Sequence, residues 1–210
     1  MTLGKVILTA LGAVGVTVAL AYAAPVFTAF FQATGQTTSY QADKNDGIGG
    51  PVAVADDGAL RQGKRLRYKL KADGTIKDRN TGLIWEVKCS ACGGLHDVSN
   101  EYVWSGDGTQ ETIWDWLDDI NAEGGPGYAG HNDWRIPNEH ELQSLVDFGR
   151  SNPAIDPLFN PTSPSAYWSA TTDAGDASAA WFVHFVGGGT DIFDKRANSL
   201  FVRAVRGGTE

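Results

Sequence analysis

His140 and Glu141 stand side by side in "PNEHELQSL", the opening of H-E-x-x-H. In that motif two histidines one helical turn apart hold zinc while the glutamate acts as general base. Here the residue four after His140 is Ser144, and His96, His131 and His184 fall at no ligand spacing on this segment. The second ligand is missing, so the pair defines no zinc centre. A structural role accounts for more of the residues. Pro137 stops a short extended run, Trp134-Arg135-Ile136. Asn138 suits an N-cap, and Glu141 three residues on completes a capping box. Leu142, Leu145 and Val146 then recur at helical spacing, and Gly149 is expected to end the helix. Trp134, Ile136, Leu142, Leu145 and Val146 are expected to be buried.

The only cysteines, Cys89 and Cys92, form "CSAC". Structural zinc wants a second ligand pair, and haem attachment wants a following His. A thioredoxin-like site wants a helix after the first Cys, which Gly93-Gly94 disfavours. A short-loop disulfide is the expectation for an exported chain, with free thiols as the alternative. No G-x-S-x-G nucleophile elbow occurs. His184, in "WFVHF", reads as a sheet histidine, and Trp85, Trp134, Trp168 and Trp181 as core. Arg203 and Arg206 are expected to pair with carboxylates. "DKNDG" starts like a calcium loop, but its Gly is out of register and no bidentate acid follows, so it reads as a solvated loop.

Several elements must position these residues. "LRYKLKADGTIKDRNTGLIWEV" alternates polar and apolar around Asp73-Gly74, a hairpin turn, with a second turn at Asn80-Thr81-Gly82. A short strand ends at Trp104-Ser105. "TQETIWDWLDDINAEGG" is a helix with Ile113, Trp116, Leu117 and Ile120 inward and Asp115, Asp118 and Asp119 outward. Three strand candidates close the chain: "AYWSAT", a hairpin in "AAWFVHFVGGGTDIF" around residues 187–189, and "LFVRAV". Two helices between early and late strands indicate α+β.

The chain has 210 residues and a net charge of −8, with no basic stripe, which argues against nucleic-acid binding. Lys5 precedes an apolar run from Val6 to Leu20, and "AYA" supplies a small-x-small cleavage site. Residues 1–23 are expected to be a signal peptide, 24–64 a flexible linker and 65–210 the folded domain. A membrane is a partner only if the N-terminal segment is retained as an anchor.

Five stretches carry a family resemblance: "DGTIKDRNTGLIW", "GGLHDVSNEYVWS", "NDWRIPNEHELQSLVDFGRSNPAIDPLF", "YWSAT" and "FVRAVRG". Together, from about Gln36 to Gly207, they resemble the bacterial Lcl C-terminal domain family, named for a collagen-like adhesin. "WRIPNEHEL" and "VRAVRGG" are also similar to sulfatase-modifying-factor-like domains, which share the C-type-lectin-like fold. The resemblance implies two helices around twisted antiparallel strands, with the termini close together. Formylglycine-generating relatives rely on cysteines near the end of the domain, and this chain has none after Cys92. The collagen-like repeats are absent too. The expectation is an exported, non-catalytic binding or adhesion domain, periplasmic or on the cell surface, that recognises a glycan or another surface protein. A structural subunit of an envelope assembly is one alternative. An enzyme related to sulfatase-modifying factors is another. Recognition is expected in two Gly-, Asp-, Ser- and Thr-rich loops, residues 104–110 and 171–178, through Trp104, Asp107, Asp173 and Asp176. Those three acids offer the hard oxygen ligands that calcium takes; no other cofactor is expected.

Overall fold

The computed structural model describes residues 31–39 and 56–208. The expected signal peptide and the "DKNDG" loop lie outside the described residues. A short helix α1 (Asp57–Leu60) is followed by strands β1 (Tyr68–Leu70), β2 (Ile76–Asp78), β3 (Ile84–Trp85) and β4 (Tyr102–Val103). Helices α2 (Ile113–Ala122) and α3 (Glu139–Gln143) come next, then β5 (Ala166–Thr172), β6 (Ala179–His184), β7 (Gly189–Asp194), β8 (Ser199–Leu200) and β9 (Val205–Arg206). All the strand pairs are antiparallel, in sheets ordered β1-β2-β3-β9, β4-β8 and β5-β6-β7. The fold is α+β.

The β1–β2 hairpin forms around Gly74, whose φ of 83° is open to glycine at no steric cost. Thr112 caps α2 through a capping box with Asp115. The inward stripe of α2 buries Ile113, Trp116 and Ile120, while Leu117 is half-buried at its margin.

Side chains alternate across the β5-β6-β7 sheet, and each face carries a core. Tyr167 and Val183 pack with Leu142, Leu145, Val146 and Phe159 on the α3 side. Trp168, Ala180 and Phe182 pack with Ile113, Trp116 and Ile120 on the α2 side.

Three expectations need correction. "LFVRAV" is not one strand. Leu200 pairs with Tyr102, Phe201 bridges Tyr167, and Val205 pairs with Trp85. The stretch thus ties three sheets together, and Val202, Arg203 and Ala204 are all buried between them. Second, α3 stops at Gln143, well short of Gly149. Leu145 and Val146 are buried as expected, but beyond the helix. Gly149 instead permits a close approach, since a Cβ there would lie 2.5 Å from the Gly35 carbonyl oxygen.

That contact bears on the third point, the stretch expected to be linker. Residues 31–39 and 56–64 lie against the domain. Ala33 donates to the Lys64 carbonyl at 2.7 Å, and Phe148 donates to the Thr34 carbonyl at 2.7 Å. The Thr34 hydroxyl donates to Asp57, and Arg61 reaches the Thr37 carbonyl at 2.7 Å.

Candidate functional site

The His140–Glu141 pair is scaffold. Asn138 and Glu141 form a reciprocal capping box. Glu141 also takes a bidentate pair from Arg135, with both bonds at 2.6 Å. The His140 side chain is 96% exposed and meets the Glu139 carboxylate at 2.6 Å. His184 sits on β6, where its Nδ1 accepts the Val186 N–H at 3.2 Å.

Cys89 and Cys92 form a disulfide, with Cα atoms 6.0 Å apart. The loop that they open returns through Cys89 N–H to the His96 carbonyl and Val98 N–H to the Cys89 carbonyl, both 2.9 Å. Asp97 accepts from Gly93 N–H and from Ser99, and these bonds hold its carboxyl down to about 2. Because the closed loop is so short, replacing both cysteines by serine is expected to cost stability only at the low end of the roughly 0–5 kcal/mol range. Urea midpoints of the double variant and the parent test this.

The loop sets His96 onto a buried charge cluster that sequence reasoning missed. Glu86 is fully buried. It meets Lys88 Nζ at 2.8 Å and His96 Nδ1 at 2.7 Å. Its other oxygen accepts the Ala204 N–H at 2.9 Å. Lys88 Nζ also lies 4.6 Å from the centre of the Trp116 ring. His96 Nε2 reaches Glu123 at 3.1 Å. Burial pushes the Glu86 carboxyl up, but the Lys88 charge and the His96 contact push it further down, to about 2. Burial lowers His96 as well, and its bonds to Glu86 and Glu123 outweigh that and raise it. The signal was visible only as Glu-x-Lys at the end of a strand, with a His ten residues on.

The two loops proposed for recognition come together. Lys195, at the end of the β7 hairpin, joins them. Its ammonium donates to the Thr172 hydroxyl at 2.8 Å and the Ala177 carbonyl at 2.9 Å. It also sits 4.1 Å from the centre of the Trp104 ring. The Lys195 carbonyl accepts from Trp104 and Ser105 N–H, at 3.0 and 3.1 Å. The Trp104 indole N–H donates to the Ser169 carbonyl at 2.9 Å. Trp114, missed by the sequence reading, packs edge-on against Trp104 with ring centres 5.0 Å apart and remains 37% exposed. Its position off the apolar stripe of α2 was the available clue. Lys195 is itself buried.

The loop acids point to different jobs. Asp107 accepts from Thr109 N–H and hydroxyl, and Asp176 from Ser178 N–H and hydroxyl, local turns that lower both carboxyls. The Asp173 N–H donates to the Ala179 carbonyl at 3.0 Å, closing the base of the second loop. Among the described residues no three His, Cys, Asp or Glu side chains are placed to share a metal ion. Asp107 and Asp176 thus each hold their own turn.

Arg203 also departs from expectation. It is fully buried and binds the Glu86 carbonyl at 2.7 Å and the Thr162 hydroxyl at 2.9 Å, rather than a carboxylate. Arg206 does find a carboxylate, gripping Asp133 at 2.6 and 3.1 Å.

The model of the Lcl C-terminal domain family matches residues 74–206, more than half of the chain. The chain belongs to this family. The match takes in every strand from β2 to β9, so the Lcl C-terminal domain includes the disulfide loop, the buried charges and both Lys195-linked loops. No curated protein matches the chain.

Proposed function

We propose that this Lcl C-terminal domain is an exported, non-catalytic binding module of C-type-lectin-like fold, which takes a glycan or a surface partner on loops 104–110 and 171–178. One observation carries the reading: Lys195 binds both loops, and the Trp104 ring that it covers packs against a partly exposed Trp114. An aromatic face with polar groups around it, held on a rigid base, is the usual make-up of a recognition surface. Export is supported by the N-terminal apolar segment and by the disulfide. The non-catalytic reading is supported by the histidines, since His96 is tied up by two glutamates and His184 by a backbone N–H.

A glycan array and a pull-down on residues 24–210, each with and without calcium, test this reading. Replacing Asp107, Asp173 and Asp176 by Ala is expected to leave the melting temperature nearly unchanged and to weaken the partner found. Unfolding of that variant would make the loops structural, and turnover of any substrate would end the non-catalytic reading. Assembly is a second reading, because Phe148 and Val186 are each 42% exposed and Phe148 lines an open groove. Sedimentation velocity of the parent and Phe148→Asp separates the two.

A further inference from the structure

We infer that the groove between α3 and the β5-β6-β7 sheet, which meets the Lys195-linked loops at Thr171, binds an organic ammonium group. The groove holds about 390 Å³ and is lined by Asn138, Glu139, His140, Thr171, Trp181 and Thr190. Its position is fixed by two hydrogen bonds. Glu139 N–H donates to the Thr171 hydroxyl oxygen at 3.0 Å, and Ala170 N–H donates to the Pro137 carbonyl at 2.8 Å. The start of α3 is therefore fastened to the strand beside Trp181. Thr171 and Thr172 are neighbours in β5, and strand alternation sends the first to this groove and the second to Lys195.

The argument for a cation is one of charge. The Glu139 side chain is only 12% exposed, and its one ionic contact among the described residues is the 96% exposed imidazole of His140. An imidazole offsets a carboxylate only when it is protonated. Half-buried Trp181 offers an indole to the same groove. An ammonium gains from an aromatic face and from a carboxylate, more so where water is partly excluded.

The protein sets its own lysines over an indole twice, once with a carboxylate and once with a hydroxyl as partner. Lys88 lies over Trp116 and on Glu86, and Lys195 lies over Trp104 and on the Thr172 hydroxyl. Trp181, Glu139 and Thr171 repeat the set of groups, yet among the described residues no Lys or Arg pairs with Glu139 or lies over Trp181. The helix start adds little opposing charge, since α3 has only five residues and Glu139 and Glu141 both lie in its first turn.

Isothermal titration of the full chain with choline, and with its uncharged carbon isostere 3,3-dimethyl-1-butanol, tests the site. Saturable choline binding is expected, with the isostere about tenfold weaker or worse. Glu139→Gln and Trp181→Leu should each weaken choline by about tenfold, and Trp181→Phe by less, because it keeps an aromatic face. Circular dichroism confirms folding, and Glu139→Gln, which alters no packing volume, decides if a Trp181 variant unfolds. Phosphatidylcholine vesicles present the same ammonium on a lipid. Flotation with vesicles that Glu139→Gln abolishes assigns the headgroup as ligand, and binding of free choline alone assigns a soluble cation. Absence of both, equal binding of the isostere, or choline binding unmoved by Glu139→Gln overturns the inference.

Discussion

Glu86→Gln is expected to lower the unfolding free energy by about 3–5 kcal/mol, the usual cost of removing one partner from a buried ion pair. The amide fills the same space, so packing is preserved and charge is what changes. Lys88 and His96 would then face a neutral group at the distances now held by a carboxylate. The burial cost of the Lys88 charge, at present offset by Glu86, would stand uncompensated. Urea unfolding should show a lower midpoint with an unchanged slope.

The same cluster sets a pH dependence. The folded pKa of Glu86, about 2, lies below its ordinary value of 4.5. Its contribution is therefore complete above that ordinary value and is lost as pH falls toward 2. His96 has the opposite sign, because its folded pKa is raised above 6.5. Its contribution is complete below 6.5 and is lost as pH rises through the raised value. In Glu86→Gln the acid limb of the stability curve should flatten; an acid limb as steep as the parent's would show that other carboxyls control it.

Arg203→Ala is expected to cost about 3–5 kcal/mol as well, for a different reason. The guanidinium fills a fully buried space against the Phe159 ring and satisfies the Glu86 carbonyl and the Thr162 hydroxyl. Truncation opens a cavity and strands two acceptors. Arg203→Lys should recover little, because a point charge cannot span the positions that the planar fork reaches. Thermal and urea unfolding of both variants measure this. A loss below 1 kcal/mol for Ala would mean that water replaces the guanidinium freely.

Arg203 also marks where reading the sequence stops working. Elements governed by neighbours along the chain were legible. The capping box at Asn138, the Gly74 hairpin, the inward stripe of α2 and the burial of Trp134, Ile136 and Leu142 all follow from local chemistry or period. The Cys89–Cys92 bond was legible from spacing.

Long-range partners were not legible. Arg203 was expected to meet a carboxylate, and its place in the sequence could not say that a carbonyl would meet it instead. "LFVRAV" has the composition of one strand, yet three sheets compete for its backbone, and that competition exists only in the folded molecule. In the candidate site, both loops were found from composition. That Lys195 joins them rests on long-range contacts that composition does not show.

The bond between Glu86 and Ala204 closes a span of 118 residues. A polypeptide emerging from the ribosome therefore carries Glu86 long before Ala204 exists, and no shorter nascent chain can complete the core. Closure of so large a loop precedes any reward from the contacts that it brings, so completion of this core waits for residue 204 to be available. For the exported protein proposed above, that delay keeps the core of the domain open and threadable until residue 204 has been made.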